Sequence, residues 1–208
     1  SPDARPAGII AELAAGWREF TSRRWLWTSV AQFSIVCAVS AALSEVLGPL
    51  VAHASLGGAS GWGLVLAVYA LGAVGGSLAM IRFRPRRILV AAMLAVPFFA
   101  LLPLALAVPL PLPVVLVTAG VAGVSVEAYT VNWMTALQQE IPSGAMSRVC
   151  SYNSLGRCAL GPAGILVAGP LAAALGTRDV LAGGGLLVIA LPLLILLSPG
   201  VRCMRRAA

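Results

Sequence analysis

The chain has 208 residues, of which 60% are hydrophobic and only 10% are charged. A water-soluble domain carries about 25% charged residues, so this composition excludes an ordinary soluble protein and favours an integral membrane protein. The formal net charge of +7 would also suit a nucleic-acid partner. The basic residues, however, lie in short clusters between apolar runs, with no basic face and interleaved aromatics. We therefore expect no nucleic-acid partner, and expect basic loops beside a lipid bilayer instead.

The first segment, residues 1–24, is predicted to be a cytoplasmic connector with an amphipathic helix. Within AGIIAELAAGWREF, apolar side chains recur at helical spacing, and the charged residues lie away from them. The apolar residues are Ile9, Leu13, Trp17 and Phe20. This pattern favours a helix lying on the membrane surface, with a plain solvated connector as the alternative.

Six apolar segments follow within residues 25–198, and together they predict a six-helix transmembrane bundle. Each is close to the length of about 20 residues that a membrane helix needs. The predicted spans are Trp25–Val51, Trp62–Ile81, Ile88–Val108, Pro113–Leu137, Val149–Leu175 and Val180–Ser198. Residues 199–208 form a basic tail. The fold class predicted here is thus an all-α integral membrane protein.

The arginines alternate between the loops. One set of loops carries Arg5, Arg18, Arg23, Arg24, then Arg82, Arg84, Arg86, Arg87, then Arg148, and finally Arg202, Arg205 and Arg206. The opposite loops carry only His53, a PLPLP stretch, and Arg178 beside Asp179. Because basic loops stay on the cytoplasmic side, both termini are predicted to be cytoplasmic.

Glu127 is the strongest functional candidate, since it lies near the middle of the fourth predicted span. A charged side chain at that depth costs about 2.5–3.5 kcal/mol on insertion scales. Its helical face carries Gly120, Gly123, Thr130 and Met134, which suits a cavity wall better than a lipid surface. A carboxyl group can carry a proton or pair with a cationic substrate. The alternative role is a structural hydrogen bond to a neighbouring helix.

Four further residues are weaker candidates. Glu45, late in the first span, is expected to face protein, as a gate or coupling group or as an interfacial anchor. The residues predicted to share its face are Ser34, Ala38, Ala41 and Gly48. Tyr129 and Asn132 form a polar stripe with Ser125, suited either to a substrate path or to interhelical hydrogen bonds. Arg157 either extends to the interface or pairs with Glu127 or an anionic substrate.

Three motifs resemble the major facilitator superfamily of transporters. A glycine-rich helix end and basic turn are found in GGSLAMIRFRPRRI, although the acidic residue usual in that turn is missing. The cluster of Gly72, Gly75 and Gly76 at this helix end is expected to let helices approach closely. The link between the fourth and fifth spans reads VNWMTALQQEIPSGAMSRVCSYNSLG. A Gly-Pro pattern in the fifth span, GRCALGPAGILVAGP, is similar to one in the family's antiporters, though that motif belongs to the other half of those proteins.

The resemblance covers nearly the whole chain and is closest to the exporter branch that includes siderophore and macrolide efflux proteins. It implies the C-terminal six-helix half of a twelve-helix, proton-coupled exporter of a small organic molecule in a bacterial inner membrane. The partners implied are the substrate, protons, the lipid bilayer, and either an N-terminal six-helix half or a second chain. The basic gate loop would comprise Arg82, Arg84, Arg86 and Arg87. We expect no enzyme activity, no cofactor and no metal ion.

Two other classes of protein are possible interpretations of the sequence, and the first of them is disfavoured. GGASGWG, residues 57–63, resembles the nucleophile segment of an intramembrane serine protease of the rhomboid type, with Ser60 as the nucleophile. That chemistry needs a histidine on a later helix, and the only histidine is His53, in the same loop. A six-helix membrane protein that transports nothing, or an inactive transporter half, remains the alternative.

Overall fold

The computed structural model of the chain describes residues 24–83, 85, 87–140 and 143–196. The predicted surface helix, within residues 1–23, and the tail, 199–208, lie outside them. Within the described residues the chain is almost entirely helical and contains no strand. Six of its helical stretches are long and apolar enough to cross a membrane. The prediction of six long apolar helices is confirmed.

The spans are built from eight α-helices and one π-helical turn in the described part of the chain. The first span comprises a helix Arg24–Ala42, a π-helical turn Leu43–Leu47 and a helix Gly48–Ser55. The second is Ala59–Arg82, and the third comprises Ile88–Phe99 and Leu101–Ala107. The fourth, fifth and sixth are Leu112–Glu140, Ser143–Leu175 and Thr177–Leu196. The fifth helix begins six residues before the predicted Val149.

The third span is interrupted after a proline. Pro97 has no backbone N–H, so it cannot donate the regular helical hydrogen bond to the carbonyl four residues earlier. The helix ends at Phe99, the Ala100 N–H donates to the Pro97 carbonyl at 3.1 Å, and a new helix begins at Leu101. The π-helical turn of the first span likewise comes directly before the Gly48-Pro49 pair.

Extensive packing joins the second span to the fourth, and the first to the fifth. Glycines allow both approaches. A methyl group on Gly72 would overlap the Gly120 carbonyl, and one on Gly123 would overlap the Tyr69 carbonyl. In the other pair, a methyl group on Gly164 would overlap the Ala38 carbonyl. These helices therefore meet backbone to backbone, as small residues permit in membrane proteins.

Part of the packing repeats when the first three spans are exchanged with the last three. That exchange converts the second–fourth pair into the fifth–first pair, and both pairs pack extensively. The third and sixth spans, which exchange with each other, are themselves in contact. The third span packs far more extensively on the fourth than the sixth does on the first, so the two three-span units are equivalent only in part.

The second and fifth spans carry the most exposed large apolar side chains of the described bundle. Leu71 on the second span is 71% exposed, and Leu166 on the fifth is 75% exposed. Such faces need either lipid or another apolar protein surface against them.

Candidate functional site

Glu127 lies between the second and fourth spans and is half-buried. The Ser77 hydroxyl, on the second span, donates a hydrogen bond of 3.1 Å to Glu127 Oε2. The Tyr69 side chain, on the same span, is close enough to interact electrostatically with the carboxylate. Two polar side chains from two helices therefore meet close to the middle of the fourth span, with Tyr69 in their neighbourhood.

The surrounding glycines explain how a side chain as short as serine reaches this carboxylate. Gly76 packs against the backbone of Val124, and a methyl group on Gly76 would lie 3.3 Å from Glu127 Cβ. Gly72 and Gly76 stand one helical turn apart, so they let the two backbones approach along one seam. The face of Glu127 that carries Gly120 and Gly123 therefore packs against the second span rather than forming an open wall.

A structural hydrogen bond to a neighbouring helix was the alternative role for Glu127, and Ser77 is the partner that such a role requires. A hydroxyl can donate to a carboxylate and can also bond to a protonated carboxyl group. The Ser77 contact is thus compatible with both forms of Glu127, so a proton can be gained or lost without leaving the group unpartnered. A role in proton coupling stays a prediction.

We expect Ser77→Ala to lower the stability of the bundle only slightly. Hydrogen bonds between membrane helices contribute about 0.6 kcal/mol on average, because the unfolded segments in the membrane also find partners. Unfolding of the purified protein in mixed micelles measures this, with Ser60→Ala as a control at an exposed position. A loss of more than about 2 kcal/mol would contradict this weak contribution, since it exceeds the largest such bonds measured.

Tyr69 connects this site to a small cavity. The cavity, of about 60 Å³, lies between the first, second and third spans, and Ser40 and Ser44 also line it. It has room for water and offers hydroxyl groups to bind it. Neither Ser77 nor Tyr69 was predicted as a site residue. Ser77 comes one residue after Gly76, and Tyr69 three residues before Gly72, which is not a signal that sequence alone would have ranked.

The polar stripe predicted on the fourth span is used mainly for packing. The Ser125 hydroxyl donates to the Ala95 carbonyl of the third span at 2.7 Å. The Asn132 amide donates to the Ala128 carbonyl at 2.7 Å and to Met80 Sδ at 3.5 Å. Of the alternatives left open, interhelical hydrogen bonding holds for Ser125. Asn132 also lines a cavity of about 270 Å³ between the second and fourth spans, where a substrate-path role stays a prediction.

Tyr129 is in the core of the bundle, with only 2% of its surface exposed. Its ring stacks on the Phe33 ring of the first span, with the ring centroids 4.7 Å apart, and on the Trp133 ring, with the centroids 6.2 Å apart. Its hydroxyl has no hydrogen-bond partner among the described residues. The ring therefore ties the fourth span to the first, while the hydroxyl is an unsatisfied polar group.

We expect Tyr129→Phe to leave stability unchanged or to raise it by up to about 1 kcal/mol, because the change keeps the stacking and removes the unpaired hydroxyl. Tyr129→Leu should lower stability, because it removes both stacked contacts. Thermal unfolding of the two variants beside the wild type measures this difference. Destabilisation by Tyr129→Phe would mean that the hydroxyl has a partner, such as a buried water.

The prediction that Glu45 faces protein is wrong for this bundle, because its side chain is exposed. The prediction assumed regular α-helical spacing. Glu45 lies inside the π-helical turn Leu43–Leu47, which changes the direction in which the side chains project from the helix. The residues predicted to share its face consequently meet different neighbours. Ser34 is buried against Gly156 of the fifth span, whereas Gly48 packs on the Trp62 ring of the second.

The remaining candidates are exposed or lie outside the described side chains. His53 is exposed, and the exposed Ser60 donates to the Gly57 carbonyl at 3.1 Å, as expected of a helix-start turn. Arg82 and Arg87 of the predicted gate loop are exposed. Arg84, Arg86 and the side chain of Arg157 are not among the described positions.

No protein family, characterised protein or solved structure matches this chain. The fold and composition define its class: an all-helical chain whose six long apolar helices suggest a multi-pass membrane protein. The likeness to one transporter family rests on the sequence motifs given above.

Proposed function

We propose that this chain is one six-helix half of a secondary transporter of the major facilitator type, with Glu127 as its proton-coupling or substrate-binding group. Its function would be proton-coupled export of a small organic molecule. The observation that carries the proposal is a carboxyl group at mid-span, hydrogen-bonded to Ser77 on the next helix and still half-buried rather than sealed. Ionisable groups at this depth are costly and generally mark ion or substrate pathways.

The partly equivalent packing of the two three-span units supports the proposal. Transporters of this type are built from paired three-helix repeats within each six-helix half. The second–fourth and first–fifth pairs of this chain are related in the same way. The cavity beside Tyr69, which Ser40 and Ser44 also line, offers a place for water within the bundle.

The exposed faces of the second and fifth spans support a second bundle as partner. Alternating access requires two bundles that rock against each other about a shared site. The exposed Glu45 would then face that shared interface or its edge, and the exposed Arg82 and Arg87 would contact the partner or the lipid head groups at the cytoplasmic end.

Transport into inverted membrane vesicles tests the proposal. Vesicles containing the intact protein are energised, and the accumulation of a panel of macrolides and iron-chelating siderophores is followed with and without a protonophore. We expect at least one compound to accumulate in a protonophore-sensitive way. If no compound accumulates in a protonophore-sensitive way, the non-transporting alternative is favoured. In that alternative Glu127 is a structural hydrogen-bond acceptor for Ser77.

A further inference from the structure

A separate cavity of about 420 Å³ lies between the first, fifth and sixth spans, with Pro103 of the third span also in its lining, on surfaces that take no part in the Glu127 site. Of its nineteen lining residues, Asp179 alone carries a polar side chain. Water in a cavity needs two to four polar partners, and apolar cavities stay dry and take up hydrocarbon. Its volume falls in the range of about 300–1,000 Å³ that is typical of small-molecule sites.

The cavity is a long slot, which we call the apolar slot. Along the first span its lining runs from Ile35 to Leu47 on one helical face. Twelve residues of helix correspond to about 18 Å. One leaflet of a bilayer contributes half of a hydrocarbon core of about 30 Å. The apolar slot is therefore about as long as one leaflet is thick.

The slot is open toward the outside of the bundle along the fifth and sixth spans. Val167 and Leu175 on the fifth span are 56% and 59% exposed, and Leu187 on the sixth is 43% exposed. Gly183 of the sixth span also lines the slot, and a methyl group on it would meet no atom within 4 Å. A chain from the surrounding lipid can enter sideways without passing through the bundle.

Asp179 marks one end of the slot. It lies in the first turn of the sixth span, at the same end as Leu47 and Leu175. An exposed carboxylate at the mouth of an apolar slot attracts an amine and repels a purely anionic head group. The neighbouring Arg178 is exposed but does not line the slot, so it is free to meet a phosphate beside the amine.

We propose that the apolar slot binds one acyl chain of a phospholipid whose head group carries an amine beside Asp179. The proposal requires that the six helices span a bilayer, but it does not require that the protein transports anything. A failed lipid experiment and a failed transport experiment therefore have separate meanings.

Native mass spectrometry of the detergent-purified chain tests the proposal, with palmitoyl lysophosphatidylethanolamine and palmitoyl lysophosphatidylglycerol as probes. We expect the ethanolamine lipid to bind about two- to fivefold more tightly, the range expected for one exposed ion pair. Asp179→Asn should abolish this preference while retaining binding. Equal binding of the two lipids to the wild type, or an unchanged preference in Asp179→Asn, would overturn the head-group assignment.

The slot itself is tested by filling it. Gly183→Leu should weaken binding of the ethanolamine lipid at least about tenfold, since lost contact with two methylene groups already corresponds to that factor. Gly63→Leu adds the same side chain at an exposed, open position of the second span, and it should bind as the wild type does. Gly183→Ala gives a smaller loss and serves if Gly183→Leu fails to fold. Wild-type affinity in Gly183→Leu would exclude the slot as the site.

Discussion

Glu127→Gln is expected to abolish proton-coupled efflux while leaving protein level and membrane insertion unchanged. Glutamine keeps the size of the side chain and can still accept a hydrogen bond from Ser77, but it cannot bind or release a proton. A structural role would thus survive the change and a coupling role would not. The measurement is substrate-driven proton movement in vesicles containing equal amounts of the two proteins.

The matched control is Glu140→Gln, the same chemical change at the far end of the same helix. Glu140 is thirteen residues away, about 20 Å along the axis, and it lies at the end of the fourth span rather than at mid-membrane. Efflux in this control should equal that of the wild type. Wild-type efflux in Glu127→Gln itself would remove Glu127 from the coupling mechanism and assign it to packing.

Gly123→Leu is expected to be the most damaging substitution at the seam between the second and fourth spans. A side chain there would overlap the Tyr69 carbonyl and come within 2.8 Å of the Ala73 nitrogen. Both are backbone atoms, which cannot rotate away as a side chain can. Overpacking of a core costs about 1–3 kcal/mol, and we expect this backbone clash to exceed that range or to prevent folding. Thermal unfolding and the yield of folded protein measure the effect.

Gly75→Leu is the control for this prediction. Gly75 is part of the same glycine-rich helix, but a methyl group there meets no atom within 4 Å. Its substitution should change the stability by less than about 0.5 kcal/mol, as for most surface sites. If Gly123→Leu were as stable as Gly75→Leu, the two spans would not pack backbone to backbone along this seam.

The spans could be predicted because a bilayer-spanning helix must be long, apolar and internally hydrogen-bonded. These requirements are visible in hydropathy alone, as the Trp62–Ile81 prediction and the Ala59–Arg82 helix illustrate. The close approach at Gly72 and Gly76 was also predictable, because glycine clusters in membrane helices permit such contacts. Gly75, predicted with them, faces away from the seam.

The partners of the site residues could not be predicted from the sequence. Which helix Glu127 meets depends on the packing order of all six spans, so Ser77 was not identified as its hydrogen-bond donor. Regular helical spacing also fails where the helix is not regular, and the π-helical turn at Leu43–Leu47 placed Glu45 at the surface. The apolar slot likewise depends on how several helices pack together, which the pattern of a single helix does not predict.

The most direct test of the proposed function is the accessibility of a cysteine placed at Val124, one turn from Glu127 and 41% exposed. The native Cys37, Cys150, Cys158 and Cys203 would first be replaced by serine. A charged, membrane-impermeant maleimide is then added from each side of the membrane. Alternating access predicts labelling from one side at rest and from the other in the presence of a transported substrate. Protection from both sides under every condition would mean that the position faces lipid or packed protein, and would contradict a water-filled path beside Glu127.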